Sequence, residues 1–249
     1  QNETVIKELT TIYFNYRQYQ QALDMAQKCK TCIDKDRIIA LCYFNMEDFG
    51  KAEKLLLALV NKNPEDAELT YTLASNYLAM GFEPKAITWY EKAVLVDANK
   101  SKWFFELGLL YSNTNNYKKA VIAYNKAAEL GFIKGNDFNE NLGFAYIYSS
   151  DFDNGARLLD DLISRRPGDK ELIRDIATAF YDSRNYDKSL DYCQKLLEMD
   201  MKDGKALYQA GLCFQKKGMT EKGMQMCDKA IEMDPSLASL RSKKSLPGM

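Results

Sequence analysis

Six cysteines and a few paired acidic residues are the side chains in this 249-residue chain whose types and spacing could do chemistry. Histidine is absent, which removes the usual general base, the proton shuttle and the commonest zinc ligand. Cys29 and Cys32 form a C-x-x-C, a spacing that serves thiol–disulfide exchange or half of a four-cysteine zinc site, but no second C-x-x-C completes one. The pair falls on a predicted helix, and Cys29 stands where equivalent positions carry Ala or Leu, so a structural thiol is the leading reading. A local disulfide or redox pair, and a metal site, stand behind it. Asp160 with Asp161, or Asp34 with Asp36, could act as acid and base, yet they sit on or near helix ends with no pocket signature and read as solvated surface. The chain is therefore expected to be non-enzymatic, without catalytic residues, metal or cofactor.

The elements that would position any site come from a repeat. Tyr111 precedes Ala120 by nine residues, and the same interval separates an aromatic from a small residue at Tyr13/Ala22, Tyr43/Ala52, Tyr77/Ala86, Tyr146/Gly155, Phe180/Ser189 and Phe214/Gly223. Aligning on the small residue gives repeats at 3–32, 33–66, 67–100, 101–135, 136–169, 170–203 and 204–237, followed by a tail at 238–249. The first repeat is short by about one helical turn, taken from its second helix or the loop after it. The fourth has one extra residue, in the segment from Gly131 to Gly135.

Within each unit, positions 4, 7, 8 and 11 form a helical stripe. Position 8 is small or nearly so (Thr10, Ala40, Ala74, Gly108, Gly143, Ala177, Gly211), and so is the facing position 20, which predicts a tight helical hairpin. Aromatics at positions 11 and 17 fill the space beside that contact, each stabilising its unit by about 1.5 to 3 kcal/mol when buried. Gly81 and Gly218 fall in turns, Pro84 opens a second helix, and Pro64, Pro167 and Pro235 close three.

The succession of a bulky residue, Leu, Gly or Ala, Tyr, then Ala, an aromatic, Ala and Pro resembles the tetratricopeptide repeat (TPR) family over residues 3–237. Glu83 and Thr220 depart from the aromatic at position 17, with Phe82 and Met219 beside them as substitutes, and repeats 1, 3, 4 and 6 lack the closing Pro. The resemblance implies an all-α, right-handed superhelical solenoid of seven helix-turn-helix repeats making a single domain over 1–249. Its inner wall would come from the first helices, and its role would be to hold other proteins. The clamp with which one subfamily grips C-terminal carboxylates is missing: Lys7 matches, but Thr11, Ile38, Glu68 and Thr72 occupy its other four positions.

The face opposite the packing stripe should be polar if it only meets water. Instead it carries Ile38, Leu41 and Phe44, then Tyr71 and Leu78, Phe105 and Leu109, Phe144, Ile147 and Tyr148, Tyr181, and Tyr208 and Leu212. Neighbouring repeats could bury many of these against each other, or they could form a groove for an extended or helical peptide. The groove reading is preferred, with Phe44, Tyr71, Phe105, Glu106, Leu109, Phe144, Tyr148, Arg174 and Tyr208 as its residues. Phe105, Leu109, Phe144 and Tyr148 are expected to form one patch.

Charge and hydropathy narrow the partner. Lys and Arg total 34 against 35 Asp and Glu, no basic run resembles a nucleic-acid footprint, and no apolar stretch could span a bilayer. A protein or peptide segment is the expected partner. The rival reading is a self-associating structural or assembly subunit, suggested by Met199, Met201, Met219, Met224, Met226 and Met233 in the last two repeats. The chain opens on Gln1 with a helix only a few residues in, which favours an exported protein of a bacterial periplasm or cell envelope over a cytoplasmic one.

Overall fold

The structure is a computed structural model that describes residues 2–30, 32 and 34–242. Among the described residues there is no strand. Helices follow one another as α1 (Glu3–Asn15), α2 (Tyr19–Lys28), α3 (Lys35–Asn45), α4 (Phe49–Lys62), α5 (Ala67–Ala79), α6 (Glu83–Val96) and α7 (Ser101–Asn113). The series continues with α8 (Tyr117–Glu129), α9 (Asn136–Tyr148), α10 (Phe152–Arg165), α11 (Lys170–Asp182), α12 (Tyr186–Met199), α13 (Gly204–Lys216) and α14 (Thr220–Met233). A 3-10 turn at Pro235–Leu237 leads into a short α15 (Ala238–Ser242). These fourteen long helices, in helix-turn-helix order, make seven repeats. They gather into two compact units, one of residues up to Thr114 with Asn125–Phe132, the other of Asn115–Tyr124 with the residues from Ile133 on.

Within each unit the hairpins close on the small residues. In the first, Ala22, Ala40, Ala52, Ala74 and Ala86 are fully buried. In the second, a Cβ on Gly223 would lie 2.5 Å from the carbonyl oxygen of Gly211, and one on Gly155 only 2.7 Å from Ile147 Cγ1. Where repeat 6 has Ser189 instead, its hydroxyl donates to the Ala177 carbonyl at 2.7 Å and so meets its own need at the contact. The shortened first repeat has lost its turn from the second helix, since α2 has ten residues against 14 in α4.

The turns inside the repeats share one geometry. Position 15 is left-handed every time, at Arg17, Glu47, Gly81, Asn115, Ser150, Arg184 and Gly218, with φ from 57° to 84°. In repeat 2, for example, the Asp48 N–H returns to the Tyr43 carbonyl at 2.9 Å and the Glu47 N–H to Phe44 at 3.1 Å, which is the Schellman pattern of helix termination. The rings at positions 12 and 17 then meet across the turn, Phe14 with Tyr19 at 5.7 Å and Tyr181 with Tyr186 at 5.6 Å. In repeat 3, Phe82 takes over that duty and meets Tyr77 at 6.5 Å.

At three of the junctions between repeats the next helix starts on an acidic cap. Asp66, Asp169 and Asp203 accept from Leu69, Leu172 and Ala206 backbone N–H groups at 3.0 Å each, filling a vacancy that every helix start presents.

One expectation is overturned here. The helix holding Cys29 stops at Lys28; Cys29 is extended, with φ −73° and ψ 124°, and is bonded to Cys32. The missing turn of repeat 1 ends α2 one residue before the pair, so the two cysteines lie in a connecting segment rather than on a helix face, and the expected structural thiol gives way to the local disulfide. Cys42, Cys193, Cys213 and Cys227 form no disulfide and are buried, as their positions in the repeat require.

Candidate functional site

In the first unit, α3, α5 and α7 turn the residues opposite their packing stripes toward a common cavity of about 460 Å³. Phe44, Tyr71, Leu109 and Glu106 line it, joined by Ser75 and Tyr90. Four of the nine expected groove residues are therefore brought together. Phe44, Tyr71, Glu106 and Leu109 are each half-buried, a state that leaves apolar surface in reach of a ligand.

Tyr71 is fixed from three sides. Its ring stacks on Trp103 at 4.7 Å and meets Tyr90 edge-on at 5.5 Å, and its hydroxyl donates to Glu106 Oε1 at 3.2 Å. The hydroxyls of Ser75 and Tyr90 lie 3.1 Å apart. Burial, and then the negative charge of Glu106, push the Tyr71 phenol well above its ordinary pKa. Burial does the same to Tyr90, against a lowering hydrogen bond with Ser75. Both phenols remain neutral donors, and Glu106 is the one formally charged side chain among the lining residues. Its Oε1 also lies 3.5 Å from Lys102 Nζ, while Oε2 is shielded from solvent and receives no hydrogen bond.

Sequence reasoning missed Tyr90 and Ser75. Tyr90 occupies position 24, where Ala26, Leu56 and Leu159 are ordinary core. The available signal was the hydroxyl, which carries a Tyr beyond the reach of a Leu and must find a partner when buried.

The remaining expected residues divide by unit. Phe105, in the first, stacks on Phe132 at 4.5 Å. In the second, Tyr148 stacks on Tyr117 at 4.7 Å and borders a cleft of about 330 Å³ with Asn115, Lys118 and Lys119. Phe144 rests against the core formed by Leu159, Ile173 and Phe180. Ile147 is wholly buried, and Tyr208 is only 6% exposed, packed with Cys227, Ala230 and Leu237. Arg174 is taken by Asp203, to which it donates twice, at 3.2 and 3.1 Å.

Two family models described as Tetratricopeptide repeat match the chain, one over residues 141–204 and the other over 104–130 and 204–237. Among curated proteins, the human Protein O-mannosyl-transferase TMTC1 is 28% identical over 133 residues, 53% of this chain and 15% of that protein. The human Superkiller complex protein 3 is 36% identical over 97 residues, 36% of this chain and 6% of its own length. The chain thus spans less than a fifth of either relative. A tetratricopeptide repeat protein from Parabacteroides merdae ATCC 43184 superposes with a TM-score of 0.57 at 15% identity, over 93% of both chains. YrrB, described as a TPR protein with an unusual peptide-binding site, gives 0.50 at 23% identity over 76% of this chain and 97% of its own. Both structural likenesses concern the fold. No helix among the described residues is long and apolar enough to cross a membrane.

Proposed function

The chain is a tetratricopeptide repeat protein, and from that premise we propose that it is a non-enzymatic scaffold that binds a peptide or protein segment on the face presented by its first helices. Tetratricopeptide repeat proteins are generally protein-interaction scaffolds, and YrrB is described as peptide-binding. The observation that carries the reading here is the cavity of the first unit, where side chains from three successive first helices leave a half-buried aromatic and aliphatic wall around one carboxylate. Hairpin packing uses the opposite stripe, and around this cavity Phe44, Tyr71 and Leu109 keep part of their apolar surface uncovered.

The test is partner capture from source cells, comparing the wild type with Phe44→Ala/Leu109→Ala and, separately, with Phe144→Ala/Tyr148→Ala. Loss of about 2 kcal/mol in either double variant, roughly thirtyfold in affinity, identifies the unit that binds. If partners are retained while the melting temperature falls by several degrees, that wall is internal packing instead.

A second reading draws on one observation. Met199, Met201, Met219, Met224 and Met233 are all exposed, Met201 by 84%, and flexible thioethers at a surface suit adaptable contacts between copies. Light scattering across a hundredfold concentration range separates the two, since self-assembly requires the apparent mass to rise.

A further inference from the structure

We infer that the cavity between α3, α5 and α7 is a socket for a basic side chain of the bound segment, with a lysine ammonium as the group received by Glu106. The inference rests on the peptide-binding reading and specifies what the peptide must carry. Phe44, Leu109 and Tyr71 form walls that a four-carbon stem can lie along, as the stems of basic residues do on apolar surface. At the end of those walls stands a carboxylate, the one formal charge among the lining residues.

The carboxylate is unevenly satisfied. Oε1 accepts the Tyr71 hydroxyl at 3.2 Å and lies 3.5 Å from the solvent-exposed ammonium of Lys102, whereas Oε2, shielded from solvent, has no donor. An anionic oxygen with neither water nor donor is costly to keep. The last torsion of a glutamate is soft, so a small rotation turns Oε2 toward the cavity, where an incoming cation would satisfy it. Tyr71 and Tyr90 cannot compete as anions, because burial holds both phenols protonated. With one oxygen engaged by Tyr71, Glu106 offers a single acceptor rather than a fork, which fits the point charge of lysine better than the paired donors of arginine.

The experiment is selection from a library of blocked hexapeptides on the immobilised full chain, followed by calorimetric titration of the best binder and its norleucine analogue. Selected peptides should share a basic position, and norleucine there should cost at least tenfold in affinity. Glu106→Gln should abolish that difference while leaving circular dichroism unchanged. Should this variant not fold, Thr72→Lys, at a half-buried lining position, supplies the ammonium from the protein itself and should remove the preference in the same way. Peptides selected without a basic position, or equal binding of lysine and norleucine forms, overturn the socket and leave the peptide-binding reading standing. Failure to select any peptide overturns both.

Discussion

Arg174 holds both carboxylate oxygens of Asp203, at 3.2 and 3.1 Å, while Asp203 Oδ1 also accepts the Ala206 N–H that opens α13. A side chain from the first helix of repeat 6 thus secures the cap of repeat 7. The same construction recurs in the first unit, where Arg37 pairs with Asp66, the cap of α5. Asp203 is 8% exposed, so Arg174→Met strands a nearly buried carboxylate and should destabilise the protein by about 2 kcal/mol in urea denaturation.

Acid should expose the same pair. Burial pushes the Asp203 carboxyl up, but the hydrogen bonds from Arg174 and the Ala206 amide outweigh it and leave the pKa below its ordinary value of 3.8. Stability from a depressed carboxylate is fully present above the unfolded value and is lost as pH falls below it toward the folded one. Denaturation midpoints of Arg174→Met should therefore decline less steeply than the wild type's below about pH 4. Parallel acid limbs would contradict the linkage.

The left-handed turns give a stabilising prediction. Arg184 and Glu47 hold φ of 63° and 62°, a conformation that strains any side chain with a Cβ and suits glycine. Replacing either by Gly should raise stability by about 0.5 to 1 kcal/mol, the relief of strain exceeding the added freedom of the unfolded chain. Gly81→Ala, at φ 77°, should lose a similar amount, and a denaturant series on the three variants checks the signs together.

Close helix packing should respond sharply to a single methyl. Gly223→Ala sets a carbon 2.5 Å from the Gly211 carbonyl, whereas Gly50→Ala meets nothing within 4 Å. The first should cost about 3 kcal/mol, within the range of overpacked cores. The second, in the first turn of α4, should be neutral or gain up to about 1 kcal/mol. Equal effects in thermal melts would mean that the hairpin of repeat 7 is looser than described.

Much of this was legible in the sequence because hairpin contacts need small residues at a fixed interval, and Gly143/Gly155 or Gly211/Gly223 advertise that need by type. The turn residue was not, since Arg17, Glu47, Asn115, Ser150 and Arg184 share a backbone angle and no side-chain property. Only the glycines at the same position in repeats 3 and 7 pointed to it. Arg174 was read as ligand-facing because its partner lies 29 residues on. The recurrence of Arg at position 5 with Asp at position 34, in repeats 2 and 6, was the overlooked signal. Cys29 was misplaced because a repeat shortened by one turn moves a core position out of its helix.

The buried thiols of Cys42, Cys193 and Cys213 predict alkaline sensitivity. Burial pushes Cys42 up from 9.0 to about 11 and, as the leading cause, Cys193 to about 12. A thiol whose folded pKa is raised contributes stability below its unfolded pKa and loses it as pH rises toward the folded value. Unfolding free energy should fall between about pH 9 and pH 11, by about 1 kcal/mol per unit for each such thiol. At neutral pH the buried Cys42, Cys193, Cys213 and Cys227 should label slowly with a thiol reagent, and prior reduction should add one faster site, the part-exposed Cys32, while Cys29 stays in the core.

The caps held from the preceding repeat give each unit a grain. Should repeat 7 open, Arg174 and Asp203 can stay paired, because both precede α13; should repeat 6 open, α13 begins on a carboxylate with no cation to hold it. Amide exchange ought to register this as a polarity, with the first amides of α13 exchanging no more slowly than the body of α11 and those of α5 no more slowly than α3. Within a unit, a partner that grips the repeat supplying the arginine therefore also steadies the helix start that the arginine holds in the next.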